Sequence, residues 1–221
     1  MRYILAAAWL MLVPAAPAVA ATSVSIGINL GAYPRLVPVP GYPVYYAPSV
    51  NSNYFFYDGL YWVFDGENWY DSHWYNGPWT AVDPFYVPAY VLQVPVRYYR
   101  RPPVYFHGWS VNASPRWGDH WGASWVQRRA DWSHFDRRSA PSRAPLPTYQ
   151  RQYSGNRYPA EQRQVEMHTQ YYRYQPRDQV VQQHYQERGL ERRQERRAEP
   201  SPAPQREQRS PREDRQRENR Q

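Results

Sequence analysis

Apolar and polar residues alternate close to the start of the chain, and this period of two predicts a half-buried β-strand. Val24, Ile26, Ile28 and Leu30 alternate there with small or polar residues. The segment that follows contains a proline every few residues, at Pro34, Pro38, Pro40, Pro43 and Pro48. Proline at this density excludes a helix or a central strand, so we expect an extended, polyproline-like chain there.

A block of aromatic residues from Tyr54 to Trp79 carries the strongest pattern in the sequence. Tryptophan, tyrosine and phenylalanine surround three turn dipeptides in it, Asp58-Gly59, Asp65-Gly66 and Asn76-Gly77. Asp-Gly and Asn-Gly between aromatic runs are strong signals for hairpins closed by two-residue turns. The block therefore predicts a small antiparallel β-meander that is rich in aromatic side chains.

Two-residue turns also fix which residues of the meander face each other. With Asp58-Gly59 and Asp65-Gly66 as turn residues, each face of the sheet should carry one cross-strand aromatic row, Phe55–Trp62–Trp69 on one and Phe56–Tyr61–Tyr70 on the other. Both faces are apolar, so each needs a cover. The candidates are the N-terminal strand, a tryptophan-rich helix, another protein or a ligand, and we favour full coverage by the chain itself.

Beyond the block, the pattern first fits a strand and then a helix. The segment VPAYVLQVPVRYYRR, interrupted by Pro88 and Pro95, suits a strand at the edge of the sheet. Gly118 and Gly122 lie in the next segment and weaken a helix by about 1 kcal/mol each relative to alanine. Five aromatic residues nevertheless recur there at helical spacing and predict one short helix with a tryptophan face, which we expect to dock on the sheet: Trp117, Trp121, Trp125, Trp132 and Phe135.

The composition changes at about Ser139, where Pro, Gln, Arg and Tyr replace aliphatic residues. Such a segment should bury too little apolar area to offset its ordering entropy, so we expect a tail that is largely disordered or partly helical. An Arg/Glu repeat from Glu187 to Glu199 can support a solvated helix, with Asp178 as its N-cap and Pro200 at its end. We favour a solvated charged segment over a helix built to bind a partner.

The N-terminus has the pattern of an export signal. Arg2 precedes the apolar stretch Ile4–Val13, and Ala18-Val19-Ala20 fits a cleavage site, so we expect a cleaved signal peptide rather than an anchor or a buried first helix. No later stretch is long and apolar enough for a transmembrane helix. We expect a mainly β fold with five parts: a signal peptide (1–20), an N-terminal strand and proline-rich segment (21–53), the aromatic meander (54–101), a tryptophan-rich helical segment (102–138) and a basic low-complexity tail (139–221).

Composition favours a bacterial envelope as the location. The chain has no cysteine, which excludes disulfides, thiolate ligands and a cysteine nucleophile and is unusual for small domains of the eukaryotic secretory pathway. Its formal net charge is +8, and all 27 basic residues are arginine, through GC-rich codon usage or through selection for phosphate and carboxylate binding. Outside the cytoplasm this charge favours lipid headgroups, lipopolysaccharide phosphates or acidic wall polymers as partners, rather than nucleic acid.

No recognisable catalytic motif occurs in the sequence. The six histidines lack the spacing of metal ligands, and HExxH, G-x-S-x-G, Walker A and dinucleotide-binding strings are missing. We therefore expect no enzymatic activity, no cofactor and no metal site. Two carboxylate pairs, Glu67 with Asp71 and Asp119 with Asp131, have the residue types that glycoside hydrolysis uses, but sequence spacing does not establish their separation.

One face of the meander could instead bind a ligand. Phe55, Trp62 and Trp69 would form a platform for a sugar ring, and Glu67 and Asp71 could hydrogen-bond to hydroxyl groups at its rim. Tryptophan and tyrosine are also common anchors of protein interfaces. These five residues are the predicted ligand-binding site, and burial of the same rings in the core is the alternative.

The string YWVFDGENWY, followed by WYNGPW, resembles the aromatic repeats of exported proteobacterial proteins that carry WxxGxW or YxWGxW motifs, although no segment matches a strict YxWGxW. The flanking segments VPVPGYPVYYAP, VPVRYYRRPP and PRWGDHWG are similar to those of uncharacterised exported proteins with such a block. The resemblance implies an envelope location and supplies no catalytic residues. We expect a non-enzymatic periplasmic or envelope protein that acts by surface contact with anionic envelope polymers or envelope proteins; a glycan- or cell-wall-binding module is the alternative.

Overall fold

The computed structural model describes residues 23–24, 26–130, 132–134, 139–186 and 189. At its centre lies a seven-stranded sheet in the order β1-β7-β6-β5-β4-β3-β2, with every neighbouring pair antiparallel. The mainly β prediction is confirmed, and the predicted meander forms the centre of the sheet. The strands are β1 (Ser23–Val24), β2 (Val37–Pro38), β3 (Tyr45–Tyr46), β4 (Asn53–Tyr57), β5 (Leu60–Asp65), β6 (Asn68–Ser72) and β7 (Trp79–Val82).

The helices are short and lie around this sheet. The α-helices with defined bounds in the described part of the chain are α1 (Ala89–Leu92), α2 (Trp117–Trp121), α3 (Ala123–Arg128) and α4 (Glu161–Tyr171). Residues 179–186 are also helical. Single 3-10 turns cover Pro84–Tyr86, Val96–Tyr98, Val104–Phe106, Thr148–Gln152 and Gly155–Arg157.

The first hairpin of the meander has the predicted geometry. Asp58 and Gly59 have positive φ angles of 49° and 95°, as a two-residue hairpin turn requires. Tyr57 therefore pairs with Leu60, and the predicted register of β4 and β5 is confirmed.

The second hairpin turns one residue later than predicted. Gly66 and Glu67 have the positive φ angles, 52° and 76°, and Asp65 pairs with Asn68. Glycine occupies the first left-handed position of this turn instead of the second, so the turn residues are Gly66-Glu67. The third dipeptide, Asn76-Gly77, lies in a longer connection over residues 73–78.

This different turn changes the partners across β5 and β6 but not the faces. Trp62 faces Asp71 instead of Trp69, and Trp69 faces Phe64. The register differs from the predicted one by two residues, and side chains alternate with a period of two, so each residue keeps its face. The predicted row Phe55–Trp62–Trp69 is therefore on one face, with different neighbours.

The first face of the sheet, which carries Trp62 and Trp69, is covered by residues 85–130 and Trp132, together with Val181 and Tyr185. Trp117 lies at its centre, with ring centroids 5.9 Å from Trp69 and 5.2 Å from Phe64. The Trp117 indole N–H donates to the carbonyl of Leu92 at 2.9 Å. The Trp117 side chain is therefore buried with its N–H group hydrogen-bonded, as is common for buried tryptophan.

The tryptophan stripe docks on this face as predicted, but on two helices rather than one. Gly122, with φ 83° and ψ 173°, separates α2 from α3. Trp117 and Trp125 are buried, and Trp121 stacks on Trp117 with centroids 4.5 Å apart. Phe135, the predicted end of the stripe, lies outside the described residues.

Two predicted strands are shorter or missing in the structure. The segment with Pro88 and Pro95 forms α1 and a 3-10 turn instead of an edge strand, because each proline directly precedes a helical turn, where its fixed φ is favourable. Near the N-terminus only Ser23–Val24 pairs, with β7. Ile26, Ile28 and Leu30 instead pack against the second face.

The second face, which carries Tyr54, Phe56, Tyr61 and Val63, is covered by the N-terminal segment and by the segment that follows Ser139. The expectation that this segment buries little is wrong for its described part, residues 139–186. Tyrosines supply the buried area that aliphatic residues would otherwise provide, and their hydroxyls find backbone acceptors: Tyr172 donates to Pro145 O, and Tyr158 to Gly77 O, both at 2.6 Å. The helical part of the prediction holds for α4.

The compact unit therefore extends to Tyr185 rather than ending at Arg138, and residues 186–221 form a separate unit. Apart from Gly189, the Arg/Glu repeat of Glu187–Glu199 lies outside the described residues, as does the predicted signal peptide. No helix in the described part of the chain is long and apolar enough to cross a membrane.

Candidate functional site

Three of the five predicted ligand-binding residues are core residues. Phe55, Trp62 and Trp69 each have 0% of their surface exposed. A sugar cannot stack on a ring that has no accessible face, so the predicted platform is not a binding surface in this structure. The alternative interpretation, burial of these rings, is the correct one.

Asp71, the fourth predicted residue, is also fully buried and faces a histidine. His184 Nδ1 lies 3.6 Å from Asp71 Oδ2, and its Nε2 lies 2.8 Å from the carbonyl oxygen of Tyr86. Both imidazole nitrogens thus face oxygen atoms of other elements. This contact holds the helical residues 179–186 against the first face, where the His184 ring is perpendicular to Trp62.

Glu67, the fifth predicted residue, lies at the surface on the tip of the second hairpin. Its side chain is 59% exposed and its carboxylate is 3.2 Å from His120 Nε2. The His120 ring stacks on Tyr105 with centroids 3.9 Å apart and planes 5° apart. Burial raises the pKa of Tyr105, and the nearby charge of Glu67 raises it further. The structure therefore separates Glu67 from the rest of the predicted set.

Half-buried aromatic rings surround this tip. Trp109 lies 5.8 Å from Tyr105, and Trp121 lies 5.8 Å from His120, between ring centroids. Arg116 and Asp119 form an exposed ion pair beside them. These rings are the partly accessible outer edge of the first-face core.

Asp58 organises a second network, which the sequence did not indicate. Its carboxylate is almost fully buried and accepts three hydrogen bonds, from the Tyr174 hydroxyl at 2.5 Å and from the N–H groups of Arg177 and Asp178 at 2.8 Å each. The turn of the first hairpin thereby binds a segment more than a hundred positions away in sequence. No local pattern marks such a contact.

Asp178 links that network to the helical residues 179–186. Its Oδ1 accepts from the N–H of Val180 at 2.9 Å, which confirms the predicted N-cap, and its Oδ2 accepts from the Tyr57 hydroxyl at 3.0 Å. Burial raises the pKa of Asp178 above its usual value of 3.8. Asp58 and Asp178 together hold the end of the compact unit on the sheet.

A histidine pair lies beside the second face. The rings of His73 and His168 have centroids 4.7 Å apart, and the Tyr149 hydroxyl is 3.2 Å from His168 Nδ1. Gln150, fully buried, donates to the Tyr149 hydroxyl and to the carbonyl of His73. Among the described residues no three histidine, aspartate or glutamate side chains meet in a way that could hold a metal ion.

A surface cavity of about 450 Å³ lies between the N-terminal segment and the sheet. Ile28, Leu30 and Val50 contribute apolar side chains to its lining, and Asp65 and Arg101 add one charge of each sign. Buried Asn53 fixes the backbone of Arg101 from both sides: Oδ1 accepts from its N–H at 2.8 Å, and Nδ2 donates to its carbonyl at 2.7 Å. The backbone position of Arg101 is therefore set by the core.

Comparisons with protein families, with curated proteins and with solved structures give no match for this chain. The resemblance to exported aromatic-repeat proteins therefore stays a prediction that depends on the sequence motifs alone.

Proposed function

We propose that this chain is an exported envelope protein without catalytic activity, which acts by surface contact with anionic envelope components. Its aromatic block is then a scaffold, since both faces of the sheet are closed by other parts of the same chain. The function would depend on the exterior of the compact unit and on the arginine-rich residues that follow it.

The observation that carries the proposal is that the described arginines are exposed more completely than the described aspartates and glutamates. Asp58 and Asp71 are buried and Asp178 is half-buried, so these carboxylates act inside the fold. Most described arginines are exposed instead, among them Arg97, Arg100, Arg101, Arg151, Arg157 and Arg163. The exterior of the compact unit is consequently more positive than its residue counts indicate, which favours attraction to anionic polymers and headgroups.

Binding of the full-length protein to an isolated envelope fraction tests this proposal. We expect binding that weakens steeply with salt, because charges at a wet surface are screened within about 10 Å at 0.1 M ionic strength. Cell fractionation should recover the chain, shortened at its N-terminus, outside the cytoplasm. An uncleaved cytoplasmic protein, or binding that is insensitive to salt, would contradict the proposal.

Glycan binding is a second candidate, and the half-buried rings near Glu67 favour it over a site on the buried platform. Trp121 would stack on a sugar, with the exposed carboxylates of Glu67 and Asp119 accepting from hydroxyl groups. Titration with neutral wall oligosaccharides should then change tryptophan fluorescence, and Trp121→Ala should abolish the change while Trp132→Ala, at another half-buried ring, should not. Salt has little effect on contacts of this kind, which distinguishes the two candidates.

A further inference from the structure

A long internal stretch of the chain contains basic residues and no acidic ones. Between Asp83 and Asp119 the sequence has no aspartate or glutamate, while it has four arginines, Arg97, Arg100, Arg101 and Arg116. All of residues 84–118 are described by the structure. Arg97, Arg100 and Arg101 are exposed, and the charge of this stretch is therefore presented to solvent.

The second half of the stretch folds back beside these arginines. The N–H groups of Val96 and Arg97 donate to the carbonyls of Ala113 and Val111, both at 3.0 Å. The Arg97 guanidinium also donates to Asn112 Oδ1 at 3.0 Å. These contacts place Val111 next to Arg97 on one loop surface.

Apolar side chains protrude from the same loop. Val104 is 92% exposed and Val111 is 56% exposed, whereas Leu60, Val63 and Val82 of the sheet are buried. Trp109 is half-buried and stacks on buried Phe106 with centroids 4.6 Å apart. One side of the Trp109 ring therefore packs on the core, and the ring remains partly accessible to solvent. In sequence Trp109 lies between the exposed Val104 and Val111.

We propose that this loop surface, made of Arg97, Arg100, Arg101, Val104, Trp109 and Val111, binds the surface of an anionic lipid bilayer. The aliphatic side chains would enter the boundary between headgroups and acyl chains, tryptophan suits the interfacial layer, and arginine contacts phosphate. A purely polyanionic partner would use the arginines and leave the protruding valines in water. The combination of exposed arginines and protruding valines therefore favours a membrane surface as the partner.

The neighbouring carboxylates do not cancel this charge. Asp65 lines the same cavity as Arg101. Arg97 and Arg100 have no acidic residue in their own segment, residues 84–118. Glu67 faces His120, whose ring stacks on Tyr105, so this carboxylate lies near the Trp109 end of the loop surface. Asp119 pairs with Arg116. The loop surface thus keeps a net positive charge, with three arginines against Asp65 and Glu67.

Co-sedimentation of the full chain with lipid vesicles tests the inference, which depends on the proposed attraction to anionic envelope components. We expect binding to vesicles that contain phosphatidylglycerol and little binding to phosphatidylcholine alone. Replacing Arg97, Arg100 and Arg101 by Gln should weaken binding roughly fivefold for each arginine. The matched control replaces Arg151, Arg157 and Arg163, three exposed arginines elsewhere, by Gln and should weaken binding less.

The apolar contribution has its own pair of variants. Val104→Ser with Val111→Ser should reduce vesicle binding severalfold, whereas Val126→Ser, at a partly exposed valine of α3, should leave it unchanged. Each variant is compared by near-UV circular dichroism with the parent protein, so that misfolding is recognised. Quenching of Trp109 by brominated lipid, lost in Trp109→Phe, would give an independent measure of insertion.

The possible results separate this inference from the proposed function. If replacing either set of three arginines weakens vesicle binding equally, the loop surface is not the membrane site and the inference is wrong. The same holds if the valine variants bind vesicles like the parent protein. Binding to the envelope fraction can persist in both cases through other arginines. If the parent protein binds soluble lipopolysaccharide polysaccharide or wall fragments but no vesicles, the inference is again overturned. If the parent binds neither vesicles nor the envelope fraction, the proposed function fails as well.

Discussion

At the residue scale, two aspartates fasten the end of the compact unit to the first hairpin. Asp58 accepts from one tyrosine hydroxyl and two backbone N–H groups, and Asp178 caps the helical residues 179–186 while it accepts from Tyr57. Hydrogen bonds to ionised, buried acceptors are stronger than neutral ones, and an N–H that loses such a partner inside a protein is costly. Asp58 and Asp178 should therefore each contribute more to the free energy of unfolding than an average polar side chain at the surface.

We predict that Asp58→Asn lowers the free energy of unfolding by about 1.5–3 kcal/mol, because one acceptor oxygen and the charge are lost while Asn-Gly remains an excellent turn sequence. Urea unfolding of the variant and parent measures the change. Asp119→Asn, at an exposed ion pair, is the control and should cost about 0–1 kcal/mol. Equal effects at the two positions would show that the buried network contributes nothing.

The pH dependence of stability should reveal the burial of Asp178. Burial raises its pKa in the folded protein above the usual 3.8, so the folded state holds this proton more tightly than the unfolded chain does. The resulting stabilisation is complete below the unfolded pKa and is lost as pH rises through the folded one.

We therefore predict that Asp178→Asn, which keeps a good N-cap, gains in stability relative to the parent as pH rises from acid to neutral. Unfolding free energies of the two proteins over that range measure the difference. Asp178→Ala, without a cap, should be less stable than Asp178→Asn by about 1 kcal/mol at both ends of the range. A difference between the Asn variant and the parent that is independent of pH would contradict the assignment.

At the scale of elements, the two hairpins show what turn chemistry decides. Asp-Gly supplied both turn residues at Asp58-Gly59, and the predicted register followed. At Asp65-Gly66 the same dipeptide is shifted by one place, because Gly66 and Glu67 take the two left-handed positions. Since both alternatives place a glycine at one left-handed position, local sequence favours a hairpin there without choosing its register, and packing against the helices selects it.

The two hairpin glycines should respond differently to alanine. A Cβ at Gly59 would lie 2.8 Å from the Tyr185 hydroxyl, whereas one at Gly66 would meet nothing within 4 Å. We predict that Gly66→Ala costs about 1–2 kcal/mol for its left-handed backbone, and that Gly59→Ala costs roughly 1–3 kcal/mol more through overpacking.

Thermal or urea unfolding of both single variants measures this difference. Tyr185→Phe combined with Gly59→Ala should recover part of the excess, since the phenylalanine lacks the crowded hydroxyl. A double variant whose loss equals the sum of the two single losses would mean that Tyr185 does not contact Gly59 in solution.

At the scale of the whole molecule, the decisive feature is that one sheet has two aromatic faces and both are closed. Residues 85–130, Trp132 and the helical residues 179–186 close the first, and the N-terminal segment and the tyrosine-rich segment after Ser139 together close the second. A boundary placed by composition at Arg138 would therefore divide one cooperative unit.

We predict that a chain ending at Arg138 fails to unfold cooperatively and exposes apolar surface, because Tyr54, Phe56 and Tyr61 would lose their cover. A chain ending at Gln186 retains every described buried side chain and should keep the near-UV circular dichroism of the full protein. Binding of a hydrophobic dye compares the two. The prediction is wrong if the shorter chain shows the same cooperative transition as the longer one.

The sequence by itself determined the meander, the first hairpin register, the division of aromatic residues between two faces, the docking of the tryptophan stripe and the N-cap at Asp178. The turns, the alternation and the cap depend on interactions between neighbours in sequence, and the docking of the tryptophan stripe follows from its apolar periodicity. The tertiary structure alone decided which side chains are accessible. It buried the platform of Phe55, Trp62 and Trp69, separated Glu67 from Asp71, and joined Tyr57 to Asp178 across 121 positions. Such contacts carry no periodic signal, because a tyrosine that covers an apolar face and a tyrosine in a solvated tail look alike in sequence.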